Sequence, residues 1–79
     1  MVSHLPLAMV SPGEKVRIVS VRAGRGLSQR LADMGLTPGT ALRVISRQGA
    51  GPTLIDFRGS RLVLGFGITQ KVMVETAGG

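Results

Sequence analysis

The sequence predicts a mainly-β domain, a small barrel of five short strands with one short helix inserted between the first and second. Three observations predict it. The chain has 79 residues, one small domain at most when domains run to roughly 100–200 residues. Its 12 glycines and 4 prolines cut it into apolar segments of strand length. Two of those segments lose their apolar–polar alternation by one residue part-way along, as a β-bulge does, and bulges are the bends a small barrel needs. Five short strands cannot stack as two useful sheets. Curled into an SH3-like barrel, they remove exposed edges by closure.

The elements follow in order. Residues 1–10 read as a leader and 77–79 as a frayed tail, leaving 11–76 as the barrel. Ser11-Pro12-Gly13-Glu14 is a turn in which proline presets φ. The first strand covers 14–22; alternation runs through Ile18 and shifts phase at Val19. Ala23-Gly24-Arg25-Gly26 is a basic loop. A helix follows over 27–34, with Leu27, Leu31 and Met34 at i, i+4 and i+7 on one face. Gly35 stops it in the left-handed conformation, and Leu36 should then touch Leu31 as in a Schellman ending. Thr37-Pro38-Gly39-Thr40 is a second Pro-Gly turn.

The second strand covers 42–47, with a phase shift between Val44 and Ile45. Gly49-Ala50-Gly51-Pro52 is a loop. The third strand is 53–58, and the fourth, 61–64, returns through a two-residue turn at Gly59-Ser60. Residues 65–70 form a short connection with room for one helical turn, and 72–75 close the barrel. The 53–58 strand is the candidate edge through which two chains could pair as a homodimer.

Composition excludes whole classes of function. Hydrophobic residues make up 43% of the chain, too many for a disordered protein. The longest apolar-plus-glycine run is 62–68, far short of the roughly 20 residues a spanning helix needs. The opening residues lack the basic and apolar regions of a signal peptide, which fits a cytoplasmic protein. With no cysteine, disulfides, thiolate metal sites and cysteine nucleophiles are all absent. The net charge of +6 and pI of about 11.8 point to an acidic or polyanionic partner: nucleic acid, an anionic membrane surface, or an acidic protein face.

The sequence offers little for catalysis. His4 is the single histidine, and no pair among His4, Glu14, Asp33, Asp56 and Glu75 has metal-ligand spacing, so a complete site within one chain is not expected. Asp33 and Asp56 belong to different elements, and nothing brings them together as an acid–base pair. Gly24-Arg25-Gly26 lacks the third glycine of a dinucleotide fingerprint, since position 29 is Gln29. The chain reads as a binding module rather than an enzyme.

The basic stretch is more informative: Lys15, Arg17, Arg22, Arg25 and Arg30 fall between Glu14 and Asp33 with no intervening acid. Base stacking needs exposed aromatics, and the chain has only Phe57 and Phe66, which reads against nucleic acid as the partner. On the helix, Leu27, Leu31 and Met34 form the buried face, while Ser28, Gln29, Arg30 and Asp33 are free to meet a partner, with Arg25 beside them.

The run Arg30-Leu31-Ala32-Asp33-Met34-Gly35-Leu36-Thr37-Pro38-Gly39 resembles the central motif of the ferrous iron transport protein A (FeoA) family. Ser11-Pro12-Gly13-Glu14 is similar to that family's entry to its first strand, and 61–64 and 68–74 also fall in family register. The segment Leu64-Gly65-Phe66-Gly67 resembles instead the equivalent domain of diphtheria-toxin-repressor-type iron and manganese regulators. The resemblance implies a cytoplasmic, non-enzymatic, SH3-like protein that supports FeoB, a membrane ferrous iron transporter with a cytoplasmic G domain. The helix in a basic, non-catalytic barrel marks Arg25, Ser28, Gln29, Arg30 and Asp33 as the expected partner-binding set, supported by Leu27, Leu31, Met34, Gly35, Leu36, Pro38 and Gly39. No metal ligands are assigned. Weak binding of a divalent transition metal (Fe, Mn or Zn) is a property the resemblance attaches to the family. Two other readings stand beside it: a nucleic-acid-binding barrel, and a module whose assembly responds to metal.

Overall fold

The computed structural model describes residues 4–76. Six strands form one antiparallel sheet: β1 (Leu5–Pro6), β2 (Lys15–Val21), β3 (Ala41–Arg47), β4 (Thr53–Phe57), β5 (Ser60–Leu64) and β6 (Val72–Thr76), in the spatial order β1-β6-β2-β3-β4-β5. A single 3-10 turn (Leu7–Met9) follows β1. Helix α1 (Arg25–Asp33) joins β2 to β3, and a one-turn helix α2 (Phe66–Thr69) joins β5 to β6. The fold is SH3-like, with the expected helix between the two long strands.

Both expected bulges are present. The β2–β6 register shifts between Ile18 and Ser20, and the β3–β4 register between Val44 and Ser46. Each leaves one residue, Val19 or Ile45, unopposed, which bends its strand and wraps the sheet around an aliphatic core. That core contains Val16, Ile18, Leu36, Val44, Ile55 and Val74, each at most 2% exposed.

Four expectations are corrected. The 1–10 segment is not a loose leader where it is described: Leu5 and Pro6 pair with Val74 and Met73, and Leu7 and Val10 are fully buried. The strand has two residues and the next turn is 3-10, so neither shows a readable period. The β4–β5 turn is centred one residue earlier, on Arg58 and Gly59 at φ 53° and 77°, because Phe57 pairs with Ser60. Both central residues are left-handed, as a type I′ hairpin requires. Strand β4 is interior, paired with β3 and β5, so among the described residues the free edges belong to β5 and β1 and the sheet does not close by hydrogen bonding. Finally, Met34 is 43% exposed and sits at the helix C-cap rather than on the buried face. The expected tail at 77–79 lies outside the described residues.

Candidate partner-docking surface

Helix α1 is held from below and from its C-terminal end. Leu31 is buried and Leu27 packs partly against the core. The helix then ends in a complete Schellman motif. The Leu36 amide donates to the Leu31 carbonyl at 2.8 Å, and the Gly35 amide to the Ala32 carbonyl at 2.9 Å, with Gly35 at φ 93°. Leu36 enters the core directly afterwards. The Thr37–Thr40 turn closes with a 3.0 Å bond from the Thr40 amide to the Thr37 carbonyl. Thr40 Oγ1 donates back to the Gly35 carbonyl at 3.2 Å. The Gly39 amide donates to the Ile18 carbonyl at 2.8 Å, which fastens Pro38 and Gly39 to β2. A two-turn helix has little stability of its own; here its exit is pinned at three places.

The outer face of α1 collects the expected partner-binding residues. Arg25, Gln29, Arg30 and Asp33 are exposed and Ser28 is half-buried. Gln29 Nε2 donates to Asp33 Oδ1 at 2.9 Å, an i,i+4 pair along that face. Beside the helix runs a mostly apolar cleft of about 240 Å3, lined by Ser20 and Val21 of β2, Ser28 and Ala32 of α1, and Leu36, Thr37 and Pro38 of the following turn. Ser20, Val21, Ala32 and Thr37 were absent from the expected set. Their only sequence signal is proximity: small or β-branched residues next to a helix that must pack on β2.

Two of the three charges on α1 run against its dipole, while Arg30, in the last turn, runs with it. Arg25 occupies the first helical position and Asp33 the last, whereas anions are favoured at a helix N-terminus and cations at its C-terminus. Gly24 at the N-cap offers no side chain to the free amides. Helix stability alone does not account for these choices.

The FeoA domain family model matches residues 5–76. The chain belongs to the FeoA domain family. It is 43% identical over 72 residues to a Methanocaldococcus jannaschii protein named "Putative Fe(2+) transport protein A", covering 91% of this chain and 87% of that one. It superposes with TM-score 0.83 and 34% identity on the crystal structure of an iron uptake regulatory protein (FeoA), covering 92% of this chain and 96% of that one. A manganese-dependent transcriptional repressor shares the fold at TM-score 0.86 and 19% identity, with 96% of this chain matching 43% of the repressor.

Within this FeoA domain the remaining charges are spread over other faces. Lys15 and Arg17 lie on β2, while Arg22 is exposed just beyond it, ahead of α1. His4 Nε2 stands 3.6 Å from Glu75 Oε2. Among the described residues, no three of His, Asp and Glu gather closely enough to hold a metal ion. No helix there is long and apolar enough to cross a membrane.

Proposed function

We propose that this protein is a non-enzymatic accessory component of ferrous iron transport. In this reading it docks on the cytoplasmic G domain of an FeoB-type transporter through the outer face of α1 and the adjoining cleft. Membership of the FeoA family and the likeness to a relative named for Fe(2+) transport support the transport role. The docking surface rests on one observation: exposed Arg25 and Asp33 sit at the helix ends where they are least favourable. Residues that break a local stability rule are expected where a partner is met. Arg25 and Arg30 would meet acidic groups of the G domain, and an apolar side chain would enter the cleft between Val21 and Pro38.

Fe2+ is the cargo of the transporter in this scheme. A resident transition metal is not part of it: the His4–Glu75 pair supplies two ligands where stable sites use three or four. Calorimetry that found tight Fe2+, Mn2+ or Zn2+ binding would contradict this part of the reading.

The test is saturable binding to the isolated G domain, with and without a GTP analogue, at about 150 mM salt, where long-range charge effects are screened. Arg25→Glu and Arg30→Glu lie on the exposed face and leave the core untouched, so loss of binding in both supports the interface. Leu31→Gln does not discriminate, because Leu31 is 1% exposed and its loss disturbs folding. Unchanged binding in both arginine variants removes α1 from the interface.

A further inference from the structure

The sheet face turned away from the core carries a second surface with different chemistry. Strands β2, β3, β4 and β5 lie side by side, and their registers set Lys15 opposite Arg43, Arg43 opposite Asp56, and Asp56 opposite Arg61. One row across four strands therefore holds three cations and one carboxylate. Lys15, Arg43 and Arg61 are exposed, and Asp56 is half-buried. Arg58, in the β4–β5 turn, joins Lys15, Arg43 and Asp56 in lining a shallow cleft of about 310 Å3. Arg58 holds a left-handed position that favours Asn or Gly. Two residues further along β5, Val63 faces Leu54 and is 66% exposed.

The row ends at β5, and among the described residues β5 ends the sheet. The hairpin determines which of its backbone groups are free. In a two-residue hairpin the flanking pair, here Phe57 and Ser60, exchanges hydrogen bonds, and every second pair does so thereafter. Ser60, Leu62 and Leu64 therefore bond to β4. The N–H and C=O groups of Arg61 and Val63 point to the open side, and these same residues carry the exposed side chains. In the register that sets Arg61 opposite Arg61, pairing of β5 with β5 of a second copy brings like charges together, and a charge at an edge opposes such self-pairing. An incoming strand with an acid opposite Arg61 meets no such barrier. Strands are spaced about 4.8 Å apart, so Arg43 stands two strands behind Arg61, about 10 Å away, where its field is partly screened at physiological salt.

We propose that β5 is a docking edge for an extended acidic segment of a partner protein. The segment pairs with the backbone of Arg61 and Val63. It sets a carboxylate beside Arg61 and, two residues on, an apolar side chain over Val63, while Lys15, Arg43 and Arg58 supply the attracting field. This surface is separate from the α1 face and does not depend on that assignment.

The probe is a peptide of Glu-Thr-Val-Thr repeated twice, titrated into the 15N-labelled full chain, with Lys-Thr-Val-Thr repeats as the charge control. The expected result is saturable shifts and slowed hydrogen exchange at the Arg61 and Val63 amides, weakening with salt, and no binding of the lysine peptide. Arg61→Glu should lower affinity about tenfold. Val63→Pro removes an open-side donor without touching the β4 ladder and should abolish binding. If that variant does not fold, amide protection in the wild type and the Arg61→Glu loss decide the matter. The proposal is overturned if the glutamate peptide leaves both amides unmoved, or if the lysine peptide binds equally. It is also overturned if anionic phospholipid vesicles or single-stranded RNA bind tightly to the face while Arg61 and Val63 keep free-edge exchange rates.

Discussion

Gly35 lies against the ring edge of Phe57: a Cβ on the glycine would stand 3.3 Å from Phe57 Cε2. The end of α1 and the end of β4 thus meet through a residue that has no side chain and is also left-handed, at φ 93°. Gly35→Ala pays twice, once for the backbone conformation at about 1–2 kcal/mol and again for displacing the ring. Gly39 has a nearly identical φ of 95° but nothing within 4 Å of its Cβ position, so Gly39→Ala pays only the backbone term. Thermal melts of the two variants should show the larger fall for Gly35→Ala, roughly 5–15 °C for a domain of this size. Equal falls would mean that the Phe57 contact carries no energy.

Truncating the buried N-terminal segment is expected to destabilise the whole domain. Leu7 is fully buried, and Leu7→Ala should lower stability by about 2–5 kcal/mol through lost transfer energy and a residual cavity. Chemical denaturation gives the value. A change under about 0.5 kcal/mol, typical of surface positions, would show that the segment is not part of the core in solution.

Arg25→Glu should separate stability from binding. Placing an acid at the first helical position complements the dipole and should raise stability by about 0.3–1 kcal/mol. The same change should weaken docking on the G domain. A variant that melts higher and binds less well is the expected pairing, measured by thermal denaturation alongside the binding assay.

Thr53 is fully buried, and its Oγ1 has no hydrogen-bond partner among the described residues. A hydroxyl in that position carries an uncompensated desolvation penalty of about 1–3 kcal/mol. Thr53→Val keeps the branched shape and removes the polar atom, so the denaturation midpoint should rise. A fall would reveal a partner for the hydroxyl in solution, such as a buried water.

What could be read from the sequence was what is decided locally. The bulges at Val19 and Ile45 showed as one-residue breaks in alternation, because side-chain direction along a strand has period two. The Schellman ending showed because Gly35 and Leu36 stand at fixed offsets from Leu31. Met34 was misassigned for a related reason: its spacing fits the helical stripe, but the helix has stopped by that position, and the side chain turns outward. Which strand forms the edge was not legible at all. Strand β4 has the same inward pattern whether or not β5 covers its far side, and the choice is made by pairing between distant segments. The turn at Arg58-Gly59 was displaced by one residue because an arginine in the left-handed region has no composition signal. On the proposed docking face, the charged residues of α1 were readable as a set, whereas Val21 joins the cleft from β2, a different segment of the chain.

Strand β1 pairs with β6, Leu5 opposite Val74, so the start and end of the described chain lie side by side on one border of the sheet. The order of segments along the polypeptide is therefore less constrained than the arrangement in space. A short linker across that border, with new ends opened in the exposed loop near Gly49 and Ala50, would give a rewired chain with the same neighbours. The same closeness lets such a unit be spliced into a larger polypeptide from either side without stretching it.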